Sequence, residues 1–355
     1  MRNYSGAWMT DIDDTLIKSG EMPTDQWIEG LVRFLRVMKK NNIVWIPMSG
    51  VAIAKLGPRI VYRLPEDVLT HVIYYGGDGS LRYFYNEETK QWDDDPDSRR
   101  LFSDAQAVAV LGRESFVSSM AEIYGTANFQ DPRILERLAK AQEELREKGL
   151  STEKGILDEL KEELKRCGFD PAKSETYFRG GSTSWMMLGD SSAEPYRAPE
   201  AVAVRKKLIE LAKKLLCERD FLCYNKTDID IPFPGARGIK FVLKGNDKER
   251  ATRHLLANFG LKPEQVLFVG NELFDGGNDN MIRNIDGISL LSVGEREDPG
   301  ENLIHGNVEI NGRRYIEDAA NRLWMDWVMQ NLENGKPWAE ILREIRTKSA
   351  AELLS

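Results

Sequence analysis

The stretch Ala7-Trp8-Met9-Thr10-Asp11-Ile12-Asp13-Asp14-Thr15-Leu16 decides how the rest of the chain is read. A short apolar run rises as a strand and stops at three carboxylates. The loop that follows is at the strand's carboxyl end, where open α/β sheets bind their ligands. Two Asp side chains spaced i, i+2, with a third beside them, repel one another unless a cation or a shared proton neutralises them. Mg²⁺ suits such a cluster, because it prefers carboxylate oxygens and keeps waters that a substrate can replace. An acidic turn taken alone is also an ordinary polar cap, so the surrounding chain carries the decision.

Working outward, Thr24 or Asp25 caps a helix to about Lys40, with Trp27, Leu31, Phe34, Leu35 and Met38 on one face. The run Ile43-Val44-Trp45-Ile46-Pro47-Met48 reads as a buried strand ending at Ser49-Gly50. Strand, helix, strand is the unit of a right-handed parallel crossover, so Ser49 is expected at the same sheet edge as Asp11. A helix disturbed by Pro58 follows, then strand Val72–Tyr75, the Gly76-Gly77-Asp78-Gly79 turn, and a returning strand from Leu81 to Tyr85. Gln91 to Asp97 reads as an acidic loop.

The period then changes. Asp131 to Lys148 and Thr152 to Cys167 are charged amphipathic helices. Glu175–Phe178 and Ser182–Leu188 make a hairpin around Gly180-Gly181, and Glu200–Cys217 is a further helix. Phe221–Tyr224 and Asp228–Ile231 supply two more strands. Two ββ pairs separated by a helix describe a small antiparallel sheet with helices, an α+β module. The α/β pattern resumes with strand Ile239–Leu243, a helix capped by Asp247 and closed by Gly260, and strand Val266–Val269 ending at Gly270-Asn271. Val308 to Tyr315 carries an Asn-Gly hairpin signal, and two helices complete the sequence. The expected domains are therefore a core in 1–88 and 236–300, an insertion in 89–235, and a C-terminal hairpin and helical extension in 301–355.

Composition narrows the function classes. The 355 residues are 41% hydrophobic and 30% charged, with net charge −8 and no long Lys/Arg block, which argues against nucleic acid as a partner. The first residues hold no apolar signal core and no run approaches a membrane span, so a cytoplasmic protein without membrane contact is expected. Cys167, Cys217 and Cys223 lack metal-ligand spacing, and three His do not support a His-based zinc site.

Four features fall at strand ends or helix starts of one α/β core: Asp11 with Asp13, Ser49, Lys248, and the loop from Asn271 to Asp279. Their order resembles the four motifs of the haloacid dehalogenase superfamily, over about residues 5–90 and 238–295. The branch it is most similar to holds the Cof-like phosphatases, sucrose-phosphatases and phosphomannomutases. The resemblance implies a Rossmann-like parallel sheet with an inserted α+β cap that acts as a lid. It implies Asp11 as nucleophile, Asp13 as general acid and then base, and Ser49, Gly50 and Lys248 as ligands of the substrate phosphate. Lys240 and Lys244 are alternatives to Lys248. Mg²⁺ would be held by Asp11, Asp13, Asp279 and Asn271, with Asp275 as alternative acid, and Arg179 in the cap hairpin would read substrate. The fourth motif commonly begins Gly-Asp, and here it begins Gly270-Asn271, which removes one charge from the metal set. The implied activity is Mg²⁺-dependent hydrolysis of a small phosphomonoester, a sugar or polyol phosphate. A phosphosugar mutase and a weakly metal-binding, non-catalytic sugar-phosphate binder are the alternatives.

Overall fold

The computed structural model describes residues 3–50, 53–124, 126–178, 180–189, 198–219, 229–231, 238–243, 245–274, 277–295 and 303–354. The chain forms two compact units, residues 1–99 with 247–355, and residues 100–246.

The first unit is built on an eight-stranded sheet. Strands β1 (Gly6–Asp11), β2 (Ile43–Met48) and β3 (Ile73–Gly76) lie side by side in parallel. Strands β4 (Leu81–Asn86) and β5 (Gln91–Asp94) continue the same edge antiparallel. On the other side of β1 come β10 (Val266–Gly270), β11 (Ser289–Ser292) and β12 (Leu303–His305), all parallel. The chain thus builds outward from β1 in one direction, then returns and builds outward from β10 in the other. That reversal creates a topological switch point between β1 and β10, where the crossover connections diverge and leave a crevice.

Both faces of this sheet are covered, as a parallel sheet requires. Along β1, Trp8 turns to one core with helix α1 (Asp25–Lys40), while Ala7 and Met9 turn to the other with Ala251 and Leu255. Helix α1 starts where the Thr24 hydroxyl accepts from the Trp27 N–H, 3.2 Å away, and its Trp27, Leu31, Phe34, Leu35 and Met38 stripe is buried as the spacing predicts.

The second unit holds helices α2 (Asp104–Leu111), α3 (Arg113–Ile123), α4 (Pro132–Glu147), α5 (Ile156–Arg166) and α6 (Pro199–Glu218). Its sheet runs β6 (Glu175–Phe178), β7 (Ser182–Met186), β9 (Ile239–Leu243), β8 (Ile229–Asp230), every pair antiparallel. Trp185, Ile239, Phe241 and Leu243 bury one sheet face among Leu138, Leu157, Leu160 and Leu208 of the helices. The expected strand Phe221–Tyr224 lies outside the described residues.

The structure moves the expected boundaries for physical reasons. Gln91–Asp94, read as part of an acidic loop, is a strand that adds to the core sheet. Ile239–Leu243, read as the first strand of the resuming core, instead closes the small sheet between β7 and β8. A five-residue apolar strand satisfies either sheet equally well by its own pattern, and only its partners decide.

Residues 303–354 belong to the core unit rather than forming an appendage. Helices α8 (Glu317–Glu333) and α9 (Trp338–Thr347) bury Trp324, Val328, Ile341 and Ile345 in the core, and Trp324 Nε1 donates to Gly306 O at 2.8 Å. The Asn-Gly hairpin forms, Asn311 and Gly312 both at positive φ, between β13 (Val308–Ile310) and β14 (Arg313–Tyr315). Glu317 opens α8 with left-handed backbone, φ +51°. Burial, then the charges of Asp14, Glu295 and Asp318, push its carboxyl up to about 7. The unfolded side chain releases its proton near 4.5, so between those values the unfolded chain binds fewer protons and stability falls as pH rises. Glu317→Gln should therefore stabilise the protein at pH 8 by about 1 kcal/mol, after allowance for partial exposure. No gain is expected at pH 4; thermal melts at the two pH values check this.

Candidate active site

Sheet register places the acidic strand end. Asp11 pairs with Met48 across β1 and β2, so Ser49 stands one residue beyond, with Gly50 next. Thr10 pairs with Val269, so Gly270 and Asn271 follow on the opposite flank. Asp11, Ser49 and Asn271 thus end three neighbouring strands at the switch point. Ser49 is buried, and its N–H donates to Tyr75 O at 2.9 Å.

Helix α7 (Lys248–Phe259) brings the cation. Its N-cap, Asp247, accepts from the Arg250 N–H at 2.7 Å, which fixes the first turn and therefore the root of Lys248. Gly260 closes it in the left-handed conformation. The Lys248 side chain is 3% exposed, and its Nζ donates to Asp11 Oδ1 at 2.5 Å and to Asp279 Oδ1. Of the three lysines the sequence leaves open, Lys248 is the one delivered to Asp11; Lys240 lies in β9 of the second unit, and Lys244 is outside the described residues.

Asp279 is 1% exposed and held from both sides. Its Oδ2 accepts from the Glu272 N–H at 3.2 Å, its own N–H donates to Glu272 O at 3.1 Å, and the Asn278 N–H reaches Glu272 Oε2 at 3.1 Å. The loop after β10 therefore folds back to lay Asp279 beside Gly270. An added Cβ on Gly270 would strike the Asp279 carboxylate. Gly270→Ala should displace Asp279, with a stability loss of about 1–3 kcal/mol and a loss of turnover; denaturant melts and initial rates measure both. Asp275, the alternative acid, and Arg179 both lie outside the described residues.

Burial is the largest influence on this cluster. It pushes the Asp11 carboxyl up to about 8, against the pull of the Lys248 ammonium and with help from Asp279. Burial pulls the Lys248 ammonium down, but Asp11 and Asp279 outweigh it and hold it well above the usual lysine range. Glu272 is raised by burial and by Asp279.

Thr15 joins the site as the last residue of the first-motif stretch, and Arg59 joins it without any signal in sequence pattern. The buried Thr15 hydroxyl lies 3.2 Å from Asn271 Oδ1 and 3.4 Å from Asp11 Oδ2. Arg59 Nη1 donates to Asp13 Oδ1 at 2.9 Å. A lone Arg at position 59 reads as loop surface, and nothing local predicts what it touches. Asp14 shapes the loop itself. With its backbone at φ +57°, it accepts from the Ser19 N–H and hydroxyl, both at 2.9 Å, and so closes the turn.

Among the described residues no group of three or more Asp, Glu, His or Cys side chains gathers as metal ligands. The donor set here has two carboxylates, Asp11 and Asp279, and the Asn271 carboxamide oxygen, which shares the Thr15 hydroxyl with Asp11. All are hard oxygen donors, and Mg²⁺ is commonly held by one or two carboxylates with waters completing its shell. The residues fit Mg²⁺, with one charge fewer than a set with Asp at position 271.

No protein-family model matches the sequence, and no curated protein matches it. Among solved structures, the IMP-bound Plasmodium falciparum IMP-nucleotidase mutant has a TM-score of 0.50 at 10% identity, covering 93% of this chain and 67% of that one. That likeness, with the observed strand order around the β1/β10 switch point, settles the architecture. The chain shares the fold of that nucleotidase. Two further structures are more distant. Synechocystis sucrose-phosphatase has a TM-score of 0.44 at 12% identity, covering 84% of this chain and 86% of its own. Aspergillus fumigatus trehalose-6-phosphate phosphatase has 0.42 at 13%, covering 93% of each. On this fold, Asp11 occupies the end of the central strand, and no helix among the described residues is long and apolar enough to cross a membrane.

Proposed function

We propose that this protein is a Mg²⁺-dependent phosphomonoester hydrolase that acts on a small phosphorylated metabolite, a sugar or polyol phosphate, through an aspartyl-phosphate. One observation carries the reading: a buried lysine joins Asp11 to Asp279 at the carboxyl edge of the central strands, with Asp13 two residues along the same loop. A carboxylate in that position can attack phosphorus only if its charge and that of the phosphate are offset, and Lys248 provides one fixed positive charge for both.

The chemistry divides into two displacements. An Asp11 oxygen forms a bond to phosphorus as the bond to the leaving oxygen breaks, and Asp13 delivers a proton to that oxygen, releasing the alcohol. Asp13, now a carboxylate, takes a proton from water as the water oxygen attacks the phosphoryl group. Phosphate leaves and Asp11 is regenerated. Ser49 and Gly50, at the end of β2, would bind phosphoryl oxygens. Asp11, the Asp13 main-chain carbonyl, Asp279 and Asn271 would hold Mg²⁺, with Asp275 as alternative acid. When bound, the metal supplies positive charge that lets a carboxylate approach a phosphate dianion.

The choice of sugar and polyol phosphates rests on the resemblance, in sequence pattern, of the α+β insertion to the caps of sugar phosphatases. Because the IMP-nucleotidase shares the fold, nucleoside monophosphates belong in the same trial. The test is release of inorganic phosphate from an aryl phosphate and from a panel of sugar, polyol and nucleotide phosphates, with Mg²⁺ and with chelator. Release that needs Mg²⁺ and vanishes in Asp11→Asn is expected. No release with Mg²⁺ present, or full release by Asp11→Asn, overturns the reading.

A further inference from the structure

We propose that Arg59 is the positioning residue for Asp13, holding that side chain where it can pass a proton to and from the reacting oxygens. The inference rests on the reading of Asp13 as acid and base given above, and adds to it a residue that no motif contains.

The segment after Ser49 makes two short helical turns, Ile53–Leu56 and Val61–Arg63, and sends two arginines back across the loop that carries Asp13. Arg63 Nη1 donates to Pro23 O at 2.7 Å, and its Nη2 to Asp25 Oδ1 at 2.6 Å, which ties down the far end of the loop. Arg59 holds the near end. Its Nε and Nη2 donate to Glu21 O at 3.2 and 2.9 Å, and Nη2 also to Lys18 O at 3.0 Å. Nη1 then donates to Asp13 Oδ1 at 2.9 Å.

The order of these contacts matters. A guanidinium is planar, and its donors stand in a fixed fork. Once the main-chain carbonyls of Lys18 and Glu21 have set the plane of Arg59, one direction is left for Nη1, and the Asp13 carboxylate sits on it. Arg59 is 17% exposed in its side chain and Asp13 37%, so Asp13 is anchored at one oxygen and still open to substrate and water. A bond that served only to fasten the loop would need the carbonyl contacts alone.

The same contact suits the proton traffic. When Asp13 gives its proton to the leaving oxygen, the carboxylate that remains already has its counter-ion, and it stays aligned for the water that follows. Such preorganisation lowers a barrier without new contacts having to form during the reaction.

The test uses the full chain with Mg²⁺ and two esters. 4-Nitrophenyl phosphate releases a phenolate that departs without a proton, whereas glycerol phosphate releases an alkoxide that needs one. Arg59→Ala should slow glycerol phosphate turnover about 10–100-fold, in kcat rather than KM, and change the aryl ester by no more than about 3-fold. Asp13→Ala combined with Arg59→Ala should be no slower on glycerol phosphate than Asp13→Ala alone, because Arg59 acts through Asp13. If Arg59→Ala does not fold, Arg59→Lys is the second variant: it keeps the cation and can still bond a carbonyl, but lacks the fork, so the same selective loss is expected. Equal losses on both esters, or losses that multiply in the double variant, would overturn the proposal in favour of a loop fastener. No release by the wild type would overturn the reading of the site as well. Wild-type turnover and an impaired Asp13→Ala, beside Arg59 variants with an unchanged ester ratio, would overturn this inference alone.

Discussion

Asp11→Asn should lose phosphate release by about 10⁴-fold or more while remaining folded. Asparagine keeps the shape of the side chain and an oxygen that Lys248 can bond, but a carboxamide does not displace an alcohol from phosphorus. At about 1.4 kcal/mol for each tenfold, the loss corresponds to roughly 5.5 kcal/mol of barrier. The fold should survive because Lys248 retains Asp279 as its ionic partner. In the metal-free protein, native Asp11 holds its proton up to about pH 8, and the unfolded side chain releases it near 3.8. The unfolded chain therefore binds fewer protons in that window, and the Asp11 contribution to stability falls as pH rises through it. Replacing Asp11 by Asn removes that burden. Metal-free melts of the variant should match or exceed the wild type at pH 8 and converge with it toward pH 4. A variant that is inactive because it is unfolded would contradict this account; initial rates beside melting curves separate the two.

Lys248→Met should lose both stability and activity, the reverse of Asp11→Asn in the first respect. Methionine fills much the same volume but leaves the Asp279 carboxylate, 1% exposed, beside Asp11 with no cationic partner. Removing one partner from a buried ion pair costs about 3–5 kcal/mol. The cost should be nearly the same at pH 5 and pH 8. Burial already keeps Asp11 protonated up to about pH 8 in the metal-free wild type, and losing the ammonium only raises that value, so Asp11 adds no difference between the two pH values. Added Mg²⁺ should return part of the lost stability, because a dication bound to the two carboxylates replaces the missing positive charge. Denaturant titrations at pH 5 and pH 8, with Mg²⁺ and with chelator, measure all three effects. An unchanged midpoint at pH 8 would show that Lys248 is not the charge that holds this cluster together.

These two residues also show how much of the site could be read before folding. Asp11 was legible because the signal is local: an apolar strand, then carboxylates whose repulsion demands a cation. Lys248 was legible as the favoured one of three lysines. Its first-turn position and the Asp247 cap are in the sequence, yet it meets Asp11 across 237 residues. Arg59 was not legible at all. It reaches Asp13 from 46 residues away, out of a stretch whose pattern, interrupted by Pro58, names no face and no partner. Asn271 stood out as a missing charge, but that its oxygen shares the Thr15 hydroxyl with Asp11 is a contact between loops of different strands.

The amino-acid sequence by itself determined the alternation of strands and helices, the caps that start α1 and α7, and the carboxylates that end β1. Each of these is set by period, capping chemistry or charge within a few neighbouring residues. Tertiary structure decided which sheet received Ile239–Leu243, that Gln91–Asp94 became a strand, and which lysine and arginine closed on Asp11 and Asp13. Those outcomes depend on partners distant in the chain, and a short apolar strand or a long flexible cation fits several partners until the fold selects one.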